Sequence, residues 1–165
     1  MKVVVNSTPI IALSFVNKLS ILKDLFDEVI LPCSVFEEIA VAGKGKIGSK
    51  EVETADWLII LSPQQKEILP AFLLGLDKGE LDVILLAREI GADLVLIDEK
   101  AGRKVAKALG LKVKGTLGLL LLAYRKGIIN KTEAENILGK LEKSFLRISP
   151  NLISWFRKEL RRVNE

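Results

Sequence analysis

The side chains of this chain that could do chemistry are five carboxylates and one amide: Asn6, Glu37, Glu38, Glu80, Asp82 and Asp98. Asn6 ends the apolar run Val3-Val4-Val5, and Asp98 ends Leu94-Val95-Leu96-Ile97. Polar residues at the carboxyl ends of buried strands are where open parallel sheets bind ligands. The ordinary alternative is equally good for either residue alone, because each precedes a helical stretch that it could cap. Asp82 is harder to assign to solvent. Leu81, Val83, Ile84, Leu85, Leu86 and Ala87 surround it, so its helix is apolar nearly all round and must be largely buried. A buried carboxylate is paired, hydrogen-bonded or metal-bound, and a bond to backbone amides or a nearby lysine is the plain form of that. Glu80, two positions away, points to another part of the helix. One of the two can enter a pocket deeply, with the other at its rim. Glu37 and Glu38 are adjacent helical residues about 100° apart, so one is expected to face inward and one water. Two solvated glutamates is what local pattern alone favours there.

The chain has no histidine. That removes Ser-His and Cys-His catalysis, His-ligated zinc and the commonest general base together. An enzyme built from this sequence must work with carboxylates, lysines, hydroxyls or a bound ion. Cys33 is the only cysteine, which excludes an intramolecular disulfide and a cysteine-rich zinc site. It reads as a small buried hydrophobe. The net charge of +4 suits a polyanionic partner without demanding one.

These residues need a scaffold, and 165 residues supply one domain. Such a chain can bury roughly 70% of its unfolded surface. Strands are expected at Lys2 to Val5, Glu28 to Leu31 (broken by Pro32), Trp57 to Leu61 at a sheet edge, Leu94 to Ile97 and Lys112 to Lys114. Helices are expected at Thr8 to Asn17, after Ser7-Thr8-Pro9, and at Ile21 to Phe26. A further one is capped by Ser34 and carries Val35, Glu37, Glu38 and Ile39. Others follow at Gln64 to Leu74, Asp77 to Ile90 closed by Gly91, Glu99 to Leu109, Leu117 to Lys126, Lys131 to Glu142 and Pro150 to Val163. Strands alternating with helices imply right-handed βαβ units and a parallel sheet. The start MKVVVNSTP lacks the apolar core of a signal peptide, and runs such as Leu119 to Ala123 fall far short of the ~20 residues that span a bilayer. A cytoplasmic protein without membrane contact is the expectation.

Three weaker signals concern phosphates and partners. GKGKIGSK, from Gly43 to Lys50, fails the phosphate-loop order because Ser49 precedes Lys50, and it follows a helix, so ATP binding is not expected. Gly115-Thr116-Leu117-Gly118 lacks the dinucleotide fingerprint, which excludes NAD on the same grounds. The helix with Leu117, Leu119 to Leu122 and Tyr124 reads as buried core, with a homodimer interface as the second reading. At the C-terminus Arg157, Lys158, Arg161 and Arg162 flank Trp155, Phe156 and Leu160; solvated charge is the default there, and phosphate contact the alternative.

Taken in order, VVVNSTPIIAL, ILPCSVFEEI, LDKGELDVILLAREIGADLVLIDEKAGRKVAKALG and KGTLGLLLLAYRKG resemble the PIN-domain superfamily, closest to a toxin-ribonuclease-like branch catalogued as a domain of unknown function. The third stretch is the most specific, and the four together cover roughly the first three quarters of the chain. The resemblance implies a three-layer α/β fold with a central, mainly parallel sheet and helices on both faces. Residues 1–165 would form a single PIN-like domain, with 131–165 a helical extension packed on it. It implies that Asn6, Glu38, Asp82 and Asp98 converge on one or two divalent ions, with Glu80, Glu99, Ser7 and Thr116 in support. Hard oxygen donors select Mg²⁺ or Mn²⁺, and such a centre can hydrolyse a phosphodiester without histidine. The implied activity is an endoribonuclease leaving 5′-phosphate ends, as the toxin of a toxin–antitoxin pair, with RNA, an antitoxin protein and a second copy of the chain as partners.

The sequence departs from that pattern at Asn6, where the family carries Asp. An amide can ligate through its carbonyl oxygen but brings no charge and cannot readily act as a base. A weakened nuclease and a catalytically inactive RNA- or protein-binding module are therefore both open.

Overall fold

The computed structural model describes residues 1–64 and 75–162. Five parallel strands form the central sheet in the order β3-β2-β1-β4-β5. They are β1 (Lys2–Val5), β2 (Glu28–Pro32), β3 (Leu58–Leu61), β4 (Leu94–Leu96) and β5 (Val113–Lys114). Val3, Val4 and Val5 are fully buried. Successive strand side chains point to opposite faces, so both faces of β1 are covered. In register, Val3 lies opposite Val29 on one side and Leu94 on the other. The first three strands step outward from β1, and β4 then returns to its free side. That reversal puts a switch point between the carboxyl ends of β1 and β4, where a crevice opens in sheets of this kind.

The helices are α1 (Ser7–Phe15), α2 (Ile21–Leu25), α3 (Cys33–Phe36), α4 (Ser49–Thr54), α5 (Lys78–Ile90), α6 (Lys100–Ala108), α7 (Thr116–Arg125), α8 (Lys131–Glu142) and α9 (Pro150–Arg162). A π-helical segment, Glu37–Ala42, continues α3. α5 packs on β1, β2 and β4 through Val83, Ile84, Leu86 and Ala87, and Gly91 ends it at φ +66°. α7 is a core helix. Leu117, Leu119, Leu120 and Leu121 are buried within the chain, and α1, α8 and α9 pack against it. Phe156 and Leu160 seat α9 with no exposure.

Some local readings differ from the structure. Pro32 closes β2 from inside, opposite Leu61, because a missing N–H is tolerated at a strand's end. Ser34 lies inside the first turn of α3, and its hydroxyl turns to Asp82 rather than capping. Glu37 and Glu38 both retain solvent exposure, although the Glu38 carboxylate is partly covered beside Gly79. The short α4 was not anticipated after the glycine-rich loop. Asp77 and Glu99 stand just before their helices as N-cap residues. The helix expected at Gln64 to Leu74 falls, beyond Gln64, outside the described residues. Among those described, no helix is long and apolar enough to cross a membrane.

Candidate metal centre

The site is assembled from the strand ends outward. The Asn6 backbone N–H donates to the Leu96 carbonyl at 3.0 Å, which ties the end of β1 to the end of β4. Asn6 occupies the N-cap position of α1 without capping it. Its side-chain amide instead donates to Glu99 Oε2 at 3.2 Å, and the Thr8 hydroxyl donates to Glu99 Oε1 at 2.6 Å. Both oxygens of Glu99 are thereby fixed over the switch point. Asp98, next to it, accepts from the Thr116 backbone N–H at 2.8 Å and from the Thr116 hydroxyl at 2.7 Å. Thr116 is fully buried, so this pair joins the end of β4 to the start of α7. Arg103 donates to the Ile97 carbonyl at 3.2 Å and brings a cation beside Asp98.

The amino end of α5 closes the other side. Asp77 accepts from the Glu80 N–H at 2.8 Å and caps the helix. The Asp77 carboxyl group lies close to that of Glu80 and raises its affinity for a proton. Glu80 is 6% exposed, and its Oε2 is buried without a hydrogen-bond partner. It lies against α6 at Gly102, where a Cβ would stand 2.7 Å from Oε2. Glu38 reaches in from the π-helical segment, its carboxylate bonded by Ser7 and lying beside Gly79 in the first turn of α5. π-helical turns recur at functional sites. A groove of about 670 Å³, lined by Glu37, Glu38, Val41, Asp77 and Lys78 among others, opens beside Glu38 and Asp77.

The electrostatics mark these acids as one group. Burial pushes the Glu80 carboxyl up to about 7, reinforced by Asp77 and Glu99. Burial also raises Glu38, with Asp77 and Glu99 adding to it and the Ser7 bond opposing. Asp98 is raised by burial, with the two Thr116 bonds opposing. Glu99 is the one carboxylate that acts on all three.

Of the residues singled out in the sequence, Asn6, Ser7, Glu38, Glu80, Asp98, Glu99 and Thr116 are brought to this crevice. Asp82 lies on the neighbouring wall. Its Oδ2 accepts from Ser34 at 2.6 Å and from Lys78 at 3.0 Å, in a small recess with Cys33 and Leu85 that shares Ser34, Glu37 and Lys78 with the groove beside Glu38. Of the two helical acids, Glu80 enters the crevice, and Asp82 takes the hydroxyl-and-lysine environment that is the plain form of a buried carboxylate. Asp77 and Thr8 are additions that pattern reading passed over. The spacing Asp77-x-x-Glu80 is that of a capping box. Gly102 inside a predicted helix, which costs about 1 kcal/mol relative to alanine, signalled a close approach.

Among the described residues no three Asp, Glu or Cys side chains are gathered tightly enough to hold a metal ion as they stand. The donor chemistry nonetheless fits a hard divalent cation. All the groups are oxygens, several carboxyls are raised by one another, and Glu80 Oε2 is a buried acceptor without a donor.

The chain matches the family model described as a PIN domain over residues 2–163, and it belongs to that family. The fold is accordingly of the nuclease-like PIN type, and PIN domains typically use a divalent metal. Among curated proteins no relative matches the sequence.

Proposed function

We propose that this PIN-domain chain is a divalent-metal-dependent endoribonuclease whose acid set is Glu38, Glu80, Asp98 and Glu99. The observation that carries this reading is Glu80: a buried carboxylate with one oxygen unpartnered, set among the acids Asp77 and Glu99 near the sheet's switch point. When bound, Mg²⁺ or Mn²⁺ supplies charge that neutralises the acids and polarises water and phosphate oxygens. The chain's own contribution is positional. Thr116 holds both oxygens of Asp98, and Asn6 and Thr8 hold both oxygens of Glu99, so the two neighbouring acids cannot swing away from the crevice. In the hydrolysis a water oxygen joins phosphorus, the bond to the 3′ oxygen breaks, and that oxygen takes a proton. The products are a 3′-hydroxyl and a 5′-phosphate.

Asn6 fits this reading as an anchor. Its amide gives Glu99 a donor where an aspartate would set a second negative charge about as close. The negative charge absent at position 6 is thus supplied from position 99, one methylene longer than aspartate. A second reading, an inactive RNA- or protein-binding module, is favoured by the same neutral side chain and by the absence of a tightly gathered acid trio among the described residues. Cleavage of a 5′-labelled single-stranded RNA in Mn²⁺, by the wild type and by Glu80→Gln, separates the two. Metal-dependent cleavage that falls at least 100-fold in the variant supports the nuclease. Equal background from both proteins leaves the binding module. The toxin role, with an antitoxin protein as partner, is a narrower form of the nuclease reading. Its check is growth arrest on induced expression that Glu80→Gln relieves.

A further inference from the structure

A second cavity adjoins Asp98 on the side away from α5. It has a volume of about 410 Å³ and is lined by Asp98, Arg103, Lys114, Leu152 and Trp155 together with Gly115 and, at the start of α7, Leu117 and Gly118. Its size lies in the range of roughly 300–1,000 Å³ typical of small-molecule sites.

Three features shape this wall. Gly115 has an extended backbone that any residue adopts, so its lack of a side chain matters for room alone. A Cβ there would lie 2.8 Å from Asp98 Oδ1 and 3.0 Å from Arg103 Nη1. At Gly118 a Cβ would press on the Lys114 stem, 3.3 Å from its Cβ. On α9, Phe156 and Leu160 are fully buried and Ile153 packs partly against the core. Leu152 and Trp155, three residues apart and so on one face, form a second stripe that is only partly covered. They remain 41% and 40% exposed on the cavity wall.

An exposed indole, an apolar neighbour and two cations beside an acidic centre match the chemistry of one nucleotide of a single strand. The base has a π face to stack, and its flanking phosphates need positive charge. A protein segment would not call for paired cations at the end nearest the acids. We propose that this cavity is a base-stacking subsite for single-stranded RNA, with Trp155 under the base and Arg103 and Lys114 toward the phosphates. It would hold the nucleotide next to the one cut. The inference rests on the nuclease reading and deepens it by naming Trp155, Arg103 and Lys114 as the residues that hold the neighbouring nucleotide.

The test is fluorescence anisotropy with a labelled ribohexanucleotide and an abasic ribose-phosphate hexamer, in EDTA so that nothing is cut. Trp155→Ala should weaken the hexanucleotide on the order of 5- to 100-fold, the range that ~1–3 kcal/mol of base stacking corresponds to. It should leave the abasic strand within twofold, and Trp155→Phe should recover most of the loss. Because Trp155 lies outside the buried core, the alanine variant should keep the wild-type circular dichroism. Lys114→Ala should weaken both strands alike and lower the salt slope. Unchanged hexanucleotide affinity in Trp155→Ala, an equal loss for the abasic strand, or no binding by the wild type each overturns the subsite. Base-dependent binding by a protein that cleaves nothing in Mn²⁺ would retain the subsite and remove the nuclease. Cleavage with binding indifferent to Trp155 would do the reverse.

Discussion

Removing the charge at Glu80 should make the metal-free protein more stable at neutral pH. Its carboxyl is raised from 4.5 to about 7, chiefly by burial and then by Asp77 and Glu99. A carboxyl with a raised folded pKa binds more protons folded than unfolded between those two values. Stability is then greatest below about 4.5 and falls as pH rises toward 7. At about 1.36 kcal/mol per unit, the ceiling is about 3.4 kcal/mol. Solvent screening at the open crevice reduces this to on the order of 1–2 kcal/mol. For a domain of this size each kcal/mol moves Tm by about 2–4 °C. Differential scanning calorimetry in EDTA should therefore show Tm falling by about 3–6 °C between pH 5 and pH 7.5 from this group. Glu38 and Asp98, also raised, push in the same direction. Glu80→Gln should flatten the profile and melt higher than wild type at pH 7.5. Mn²⁺ should raise the wild-type Tm far more at pH 7.5 than at pH 5. Parallel profiles for the two proteins, or a wild-type Tm that climbs through this window, would refute the assignment of Glu80 as a strained buried acid.

Other substitutions probe the remaining contacts. Asn6→Asp sets a second carboxylate against Glu99, so it should cost about 1 kcal/mol without metal and tighten Mn²⁺ binding; unchanged calorimetric affinity would remove Asn6 from the site. Thr116→Val deletes the hydroxyl bonded to Asp98 Oδ2 while keeping the branched shape. It should weaken Mn²⁺ binding several-fold, and an unaltered isotherm would mean that Asp98 needs no such orientation. Gly102→Ala drives a Cβ to within 2.7 Å of Glu80 Oε2, and RNA cleavage should drop at least tenfold while the far-ultraviolet spectrum is retained. Phe156→Ala empties a fully buried site and should cost about 3–5 kcal/mol in urea unfolding. A much smaller loss would mean that α9 is loosely held.

The sheet was legible because its signal is strong and local. Val3-Val4-Val5 and Leu94-Val95-Leu96-Ile97 are strands that two covered faces make apolar throughout, and both end in a polar residue at the crevice. α5 was equally plain, with its apolar surround and its terminal Gly91. Boundaries slipped by a residue or two where a side chain bonded elsewhere. Asn6, Asp98 and Ser34 all look like helix caps, yet none caps the helix that follows it by its side chain, because Asn6 and Ser34 donate to carboxylates and Asp98 accepts from Thr116. Helical phase tells apart positions 80 and 82 but does not say which neighbour each will meet. That depends on α3 and α6, which arrive from distant parts of the chain. Ser34 and Lys78 satisfy Asp82, whereas Gly102 leaves room for Glu80. The π-helical turn that aims Glu38 has no composition of its own to announce it.

The most direct test of the account is a Mn²⁺ titration by calorimetry on the wild type, Glu80→Gln, Asp98→Asn and Asp82→Asn. Wild-type binding that Glu80→Gln and Asp98→Asn each weaken by tenfold or more, and that Asp82→Asn leaves within twofold, is the expected result. Loss of binding in Asp82→Asn with Glu80→Gln unaffected would contradict it. No wild-type binding at millimolar Mn²⁺ would also contradict it, and would turn attention to what the crevice holds without metal.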